Sequence, residues 1–172
     1  MPIRPLARAA VAALALAFAA PPAAALTLDE SELPGGFGPW NAPATVAPGV
    51  TEIRGVGAAN DHDHFLFEAL PAGARSFDLL LRAPAGIGWS YSAGGELRVA
   101  EAAFPWDWAG DAAGRFQLDP RNPEARLGVV LGEDFAGGAL QLGLYFTHGA
   151  DVAYTLAAAS NAATTPGDGP TD

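Results

Sequence analysis

The sequence predicts an all-β protein: a single antiparallel β-sandwich or jelly-roll-like domain of about eight or nine short strands. Three observations support this fold class. Apolar and polar residues alternate with period two over short stretches, and glycine or proline interrupts nearly every gap between them. Beyond the first 25 residues, no segment keeps a helical period. Short alternating strands joined by turns are typical of sandwiches rather than α/β folds.

The predicted strands are, in chain order, Thr51–Val56, His64–Leu70, Ser76–Arg82, Gly88–Ser92, Glu96–Glu101, Arg115–Asp119, Arg126–Leu131, Leu140–Phe146 and Asp151–Ala157. The segment Ala93-Gly94-Gly95 indicates a hairpin turn between the fourth and fifth of these strands. The strand with the clearest pattern is Leu140–Phe146, whose four large apolar residues alternate with Gln141, Gly143 and Tyr145.

The first 25 residues have the layout of a secretory signal peptide. Arg4 and Arg8 form a basic start, Ala9–Ala20 is an apolar run, and Ala23–Ala25 offers a small-residue cleavage site. We therefore expect removal of the segment 1–25 and export to the periplasm or the outside of the cell. The run is too short for a membrane anchor, and no later segment is long and apolar enough to span a bilayer.

The rest of the chain divides into three parts. Residues 26–49 are rich in glycine and proline and predict an irregular N-terminal arm, held to the domain by Phe37 and Trp40. Residues 50–158 carry the strand pattern of the sandwich. Residues 159–172 lack large apolar side chains and predict a disordered tail.

Composition excludes several classes of chemistry. The chain has no cysteine and no lysine, so disulfides, thiol nucleophiles, thiolate metal sites, a lipid anchor on cysteine and Schiff-base chemistry are all excluded. The net charge is −10, and it becomes −12 once Arg4 and Arg8 leave with the signal peptide. Such an acidic surface repels the phosphates of nucleic acid and the headgroups of anionic lipids, so we expect no nucleic acid as a partner. No convincing catalytic constellation is found, and we expect no enzyme activity.

A dense group of potential metal ligands opens the second predicted strand. In extended backbone, Asp61 and Asp63 point to one side and the intervening histidines to the other. Carboxylates supply the oxygen ligands that Ca²⁺ requires, so Asp61 and Asp63, joined by Glu133, Asp134 or Asp151 from a neighbouring loop, predict a calcium site. No other cofactor is expected.

Two alternatives remain open for the same segment. His62 and His64 could converge with His148 in a transition-metal site, which would make the protein a metal-binding protein or a metal-dependent enzyme. Alternatively, the two aspartates cap a turn and the histidines are solvated.

The chain also resembles the bacterial pre-peptidase C-terminal domain family. The motifs that carry the resemblance are Gly55-Val56-Gly57, Asp61-His62-Asp63-His64-Phe65-Leu66-Phe67, Leu70-Pro71-Ala72-Gly73-Ala74, Gly137-Gly138-Ala139-Leu140 and Tyr154-Thr155-Leu156. The resemblance implies a jelly-roll-like sandwich that serves secreted proteins as an accessory, substrate-contacting module, and in some relatives binds Ca²⁺. The chain departs from the family where Gly88–Ser92 replaces an acidic strand, and no catalytic domain accompanies it.

Aromatic residues provide the other candidate site. Trp106, Asp107 and Trp108 lie in one predicted loop, with Trp89 and Tyr91 one hairpin earlier. Exposed flat rings beside a carboxylate suit a glycan, because the apolar faces of sugars stack on rings while the carboxylate accepts hydroxyl hydrogen bonds. The alternative is that these rings plug one end of the sandwich.

These observations together predict an exported, non-catalytic binding or accessory module with a protein or glycan ligand. Besides the metal-dependent alternative, a self-associating structural protein remains open, because exposed sheet edges can pair with further copies of the chain.

Overall fold

The computed structural model describes residues 26–159, so the expected signal peptide and the expected tail from residue 160 onwards lie outside the described residues. The strands are β1 (Leu26–Asp29), β2 (Ala44–Thr45), β3 (Val50–Gly57), β4 (His62–Leu70), β5 (Arg75–Arg82), β6 (Ala93–Ala100), β7 (Asp111–Leu118), β8 (Glu124–Leu131), β9 (Gly138–His148) and β10 (Val152–Ala159). A single 3-10 turn, Glu30–Glu32, follows β1. No helix in this part of the chain has the length and apolar character needed to cross a membrane.

The strands form two five-stranded sheets, which confirms the predicted all-β sandwich. The first sheet has the order β1-β3-β10-β5-β8 and the second the order β2-β4-β9-β6-β7. Neighbouring strands are antiparallel except for β1 with β3 and β2 with β4, which are parallel. The predicted period-two alternation places one face of each sheet between the layers. In β5, for example, Phe77, Leu79 and Leu81 are buried while the residues between them face outwards.

The N-terminal arm is more regular than its composition indicates. Its two ends form β1 and β2, which extend one edge of each sheet. Between them Phe37 is buried, and its ring packs edge-on against Phe65 at 4.7 Å between ring centroids. Phe37 therefore attaches the arm to the core, and glycine and proline shape only the connection between the two short strands.

The predicted strand Gly88–Ser92 and its hairpin turn are wrong. Residues 83–92 form the connection between β5 and β6, and Ala93-Gly94-Gly95 begins β6 itself. The two glycines are needed for close packing and not for a turn. A Cβ atom on Gly95 would overlap the carbonyl oxygen of Tyr145 in the neighbouring strand, and one on Gly94 would lie 2.7 Å from the ring of His148.

The two sheets differ on their outer faces. On the second sheet the loop Glu101–Gly110, which we call the cover loop, lies against β9 and buries a small apolar cluster of Phe104, Ala109 and Tyr145. As a result Gln141 and Tyr145, which alternate with the core leucines of β9, are fully buried as well. The second sheet is therefore covered on both faces along β9, and the cover loop presents the residues described next.

Candidate functional site

Gln141 fixes the near end of the cover loop. Its side-chain oxygen accepts a hydrogen bond from the backbone N–H of Phe104 at 2.8 Å. Its side-chain nitrogen donates to the carbonyl of Trp40 at 3.1 Å and lies 3.2 Å from Nδ1 of His64. The amide can use both of its protons in these contacts, so His64 accepts at Nδ1 and carries its own proton on Nε2.

Two histidines of β4 lie beneath the loop and face one carboxylate. Nδ1 of His62 is 3.5 Å from Oδ2 of Asp107, and Nε2 of His64 is 4.0 Å from its Oδ1. His64 is completely buried and its Nε2 has no hydrogen-bond partner among the described residues. Burial lowers the pKa of His64 to about 4, against the opposing effect of the Asp107 charge, so the ring is neutral at physiological pH.

Trp108 is held in a conformation that is rare for a large residue. Its φ is +62°, in the left-handed region. Its backbone N–H lies 2.9 Å from the hydroxyl of Tyr145 and 3.0 Å from Oδ1 of Asp107, and both accept from it. Its carbonyl accepts from Arg98 at 2.7 Å, and its ring stacks on that of Tyr145 at 4.1 Å. Several contacts thus hold one strained residue, a situation common at binding and catalytic sites.

The group that holds Trp108 is itself fixed in β6. Arg98 pairs with Glu96, and Arg115 of β7 donates to the same carboxylate at 3.1 Å. Glu96 is largely buried, and the two guanidinium groups of Arg98 and Arg115 compensate the charge of its carboxylate. Arg98 also lies over the indole of Trp108, 5.6 Å from its centroid. The far end of the cover loop is therefore as firmly held as the near end.

Trp106 is the exposed residue at the turn of this fixed loop. The turn is closed by a hydrogen bond from the N–H of Ala109 to the carbonyl of Trp106 at 3.1 Å. Trp106 is 59% exposed, and the side chain of the neighbouring Asp107 is 39% exposed. A large aromatic ring is thus presented to solvent on a backbone with little freedom to move, next to a partly exposed carboxylate.

We expect Tyr145→Phe to destabilise the fold by about 0.5–1.5 kcal/mol, because it removes one of the two acceptors of the part-buried Trp108 N–H and leaves Oδ1 of Asp107 as the other. Burial and the charge of Asp107 raise the pKa of Tyr145 above its ordinary value, so the hydroxyl is protonated throughout the physiological range. Urea unfolding measures the loss, and amide exchange at Trp108 reports whether the loop loosens. Tyr91→Phe is the control, because the Tyr91 hydroxyl makes only an exposed 3.3 Å contact with Ala150; equal effects in the two variants would contradict this role for Tyr145.

The structure divides the five predicted aromatic-site residues into two groups. Trp106, Asp107 and Trp108 share the cover loop, whereas Trp89 and Tyr91 lie in the connection between β5 and β6. Among residues 26–159, no ring contact joins the two groups. Trp108 is packed on the sheet, whereas Trp106 and the 89% exposed Trp89 face solvent.

The predicted calcium ligands are dispersed. Asp63 lies in the core, 1% exposed, and accepts a hydrogen bond from Tyr154 at 2.7 Å. Asp134 lies in the connection between β8 and β9. There the carbonyl of Phe135 accepts a hydrogen bond from the N–H of Gly73, which lies beyond the C-terminal end of β4, whereas Asp63 lies near the start of that strand. Asp134 is therefore not available to join Asp63, contrary to the prediction.

Asp151, in the tight β9–β10 connection, lies at the same end of the sandwich as Asp61. Within residues 26–159 no three His, Asp or Glu side chains are grouped so that they could hold a metal ion. Calcium binding remains a prediction from the sequence alone.

The predicted three-histidine cluster is wrong. His62 pairs with Tyr145 across β4 and β9, and His148 lies three residues further along β9, about 10 Å away. There its Nε2 is 3.2 Å from the hydroxyl of Ser92, and its Nδ1 is 3.2 Å from that of Thr147. His62 and His64 share Asp107 as a neighbour, and His148 belongs to a separate polar group.

Sequence reasoning missed the residues that position the loop: Gln141, Tyr145, Arg98 and Glu96. The available signal was in β9, where Gly143 stands between Gln141 and Tyr145 on the face opposite the leucines. A Cβ atom at Gly143 would come within 3.0 Å of the rings of Tyr145, His64 and Phe104. A strand glycine of this kind indicates that something packs closely on that face.

Comparison with protein-family models and with curated proteins finds no match. Among solved structures, the fold is similar to a periplasmic inhibitor of g-type lysozyme from Aeromonas hydrophila, with a TM-score of 0.37, 18% identity, and coverage of 77% of this chain and 94% of that one. It is also similar to the pre-peptidase C-terminal domain of a collagenase from Bacillus anthracis, with a TM-score of 0.36, 16% identity, and coverage of 78% and 96%.

Proposed function

We propose that this protein is an exported, non-catalytic binding module that holds a glycan on the cover loop. The observation that carries the proposal is the exposed ring of Trp106 at the turn of a loop fixed at both ends. Binding through such a ring loses little conformational entropy, because the backbone that presents it is already ordered.

The chemistry around Trp106 supports a sugar as the ligand. An indole face offers apolar area for the C–H face of a pyranose ring. Asp107, one residue away, accepts at Oδ1 from the N–H of Trp108, while its Oδ2 lies 3.5 Å from Nδ1 of His62, longer than a normal hydrogen bond. The carboxylate can therefore still accept from sugar hydroxyls. His62, with its side chain 26% exposed, adds a polar group at the same edge.

The remaining polar groups support a binding role rather than catalysis. Gln141, Tyr145 and Arg98 are used to hold backbone groups of the cover loop. His64 is buried and neutral, with its proton directed towards Asp107. The arrangement thus positions the loop and leaves Trp106 and Asp107 to meet a ligand.

We expect Trp106→Ala to reduce retention on insoluble glycans at least about tenfold, the effect of losing roughly 1.4 kcal/mol of ring contact. The probes are peptidoglycan sacculi, chitin and cellulose, and retention is measured by pull-down. Trp89→Ala is the matched control, because Trp89 is also a loop tryptophan with an exposed ring but lies outside the cover loop.

Both variants remove exposed side chains, so their melting temperatures should stay close to that of the wild type. Equal loss of retention in the two variants would disprove the assignment to the cover loop. If the wild-type protein is retained on none of the three glycans, the proposed function is wrong.

A further inference from the structure

A second candidate site lies between the two sheets, at the end of the sandwich where β4 finishes and β5 begins. The cavity there has a volume of about 420 Å³, within the range of small-molecule sites. Its lining is mainly apolar and includes Val46, Val50, Phe67, Leu70, Phe77 and Ala158. Strands of both sheets and the connection between β2 and β3 contribute to it.

The inner wall of this cavity is a fixed part of the core. The rings of Phe67 and Phe77 are in contact, with centroids 5.1 Å apart, and both side chains are buried. An apolar space of this size is suited to an apolar ligand.

One cation is available where the cavity meets solvent. Nε of Arg75 donates to the carbonyl of Pro71 at 2.9 Å, which fixes the guanidinium beside the lining. Among residues 26–159, no carboxylate lies within ion-pairing distance of Arg75, in contrast to Arg54, Arg82, Arg98 and Arg115. Its terminal nitrogens can therefore pair with an anionic group. Glu68 also lines the cavity and is the one acidic residue of the lining.

We propose that this cavity binds an anionic amphiphile with a single alkyl chain, of the fatty-acid type. The alkyl chain lies between the sheets against Phe67 and Phe77, and the carboxylate pairs with the guanidinium of Arg75. Charge complementarity favours this occupant: Arg75 is half-buried and held against the lining, whereas Glu68 is exposed, so an anionic headgroup gains a fixed partner that an uncharged or cationic amphiphile lacks. The site is separate from the cover loop, so it does not depend on glycan binding.

The test is calorimetric titration of the full chain with octanoate, decanoate and dodecanoate. We expect affinity to rise about fourfold for each added methylene group, which corresponds to about 0.8 kcal/mol per buried CH₂. Arg75→Gln should weaken decanoate binding about tenfold, because the neutral amide can still donate to Pro71 but cannot pair with the anion. Glu68→Gln is the matched control and should bind decanoate at least as tightly as the wild type.

Two filling variants test the location. Ala158→Phe places a ring at the inner end of the cavity and should abolish binding without lowering the melting temperature. Should that variant not fold, Ala47→Trp blocks the exposed mouth from a loop position. Absence of decanoate binding, binding unchanged in the filling variants, or equal affinity for decyltrimethylammonium would each overturn the proposal.

Discussion

Asp63→Asn is expected to stabilise the protein strongly at pH 8 and to have little effect near pH 4. Burial between the sheets raises the pKa of Asp63 from 3.8 to about 8, partly opposed by the hydrogen bond from Tyr154. The native state therefore keeps a proton that the unfolded chain releases above about pH 4. The stability contributed by this group is fully present below pH 4 and is lost as the pH rises to 8.

Between these two pKa values the free energy of unfolding of the wild type falls by roughly 1.4 kcal/mol per pH unit relative to that of the variant. At pH 8 the variant should therefore be more stable than the wild type by several kcal/mol. Asparagine has nearly the same shape and can still accept from Tyr154. Urea unfolding at several pH values measures the difference between variant and wild type. Asp78→Asn, which changes an exposed carboxylate in β5, is the control and should follow the wild type at every pH.

The same titration tests the calcium hypothesis. A cation beside Asp63 would keep its carboxylate ionised and remove the difference in slope between variant and wild type. In EDTA we expect the free energy of unfolding of the wild type to fall more steeply with pH than that of Asp63→Asn. If it disappears on addition of Ca²⁺, the ion binds near Asp63; if it is absent in EDTA too, then Asp63 is ionised in the native state and the account of its burial is wrong.

Gly95→Ala is expected to destabilise the fold by about 3–5 kcal/mol, a large part of the stability of a domain of this size. The added Cβ would overlap the carbonyl oxygen of Tyr145 and would lie 2.9 Å from the ring of Phe116. Gly95 pairs with Phe146 in the centre of the second sheet, so relief requires that β6 and β9 separate.

The matched control for this substitution is Gly128→Ala in β8. A Cβ atom there would meet its nearest neighbour at 3.8 Å, an ordinary contact, and alanine restricts the unfolded chain more than glycine does. We therefore expect Gly128→Ala to be neutral or slightly stabilising in thermal and urea unfolding. Similar losses in the two variants would mean that strand propensity, and not the contact with Tyr145, determines the cost.

Strands with one apolar face could be predicted from the sequence, because burial of that face between the two sheets makes apolar and polar residues alternate along the strand. β5 and β10 show this: Phe77 and Leu79, like Tyr154 and Leu156, lie where the alternation predicts. The start of β6 was missed because Ala93-Gly94-Gly95 carries the residue types of a turn, and only the position of Tyr145 reveals why glycine is required there.

The candidate site could be predicted only in part. Trp106, Asp107 and Trp108 form a local motif, so their association in one loop is visible in the sequence. Their positioning by Gln141 and Tyr145 depends on where the cover loop folds back, which is a tertiary contact between distant segments. Asp63 illustrates the same limit. The alternation predicts that it lies on the same face of β4 as Phe65, but an aspartate is more often a solvent-facing ligand, and its burial in protonated form is seen only in the structure.

The pairing of β3 with β10 has a consequence for the order in which the chain can fold. Ile53, near the start of the domain, lies opposite Leu156, near its end, and β10 occupies the centre of the first sheet. A chain that emerges N-terminus first cannot complete this sheet until its last strand has been delivered, and such distant pairing makes folding slow. For a chain whose first residues predict export, this delay is useful, because a polypeptide that stays unfolded until its final strand arrives can still be threaded through a membrane channel.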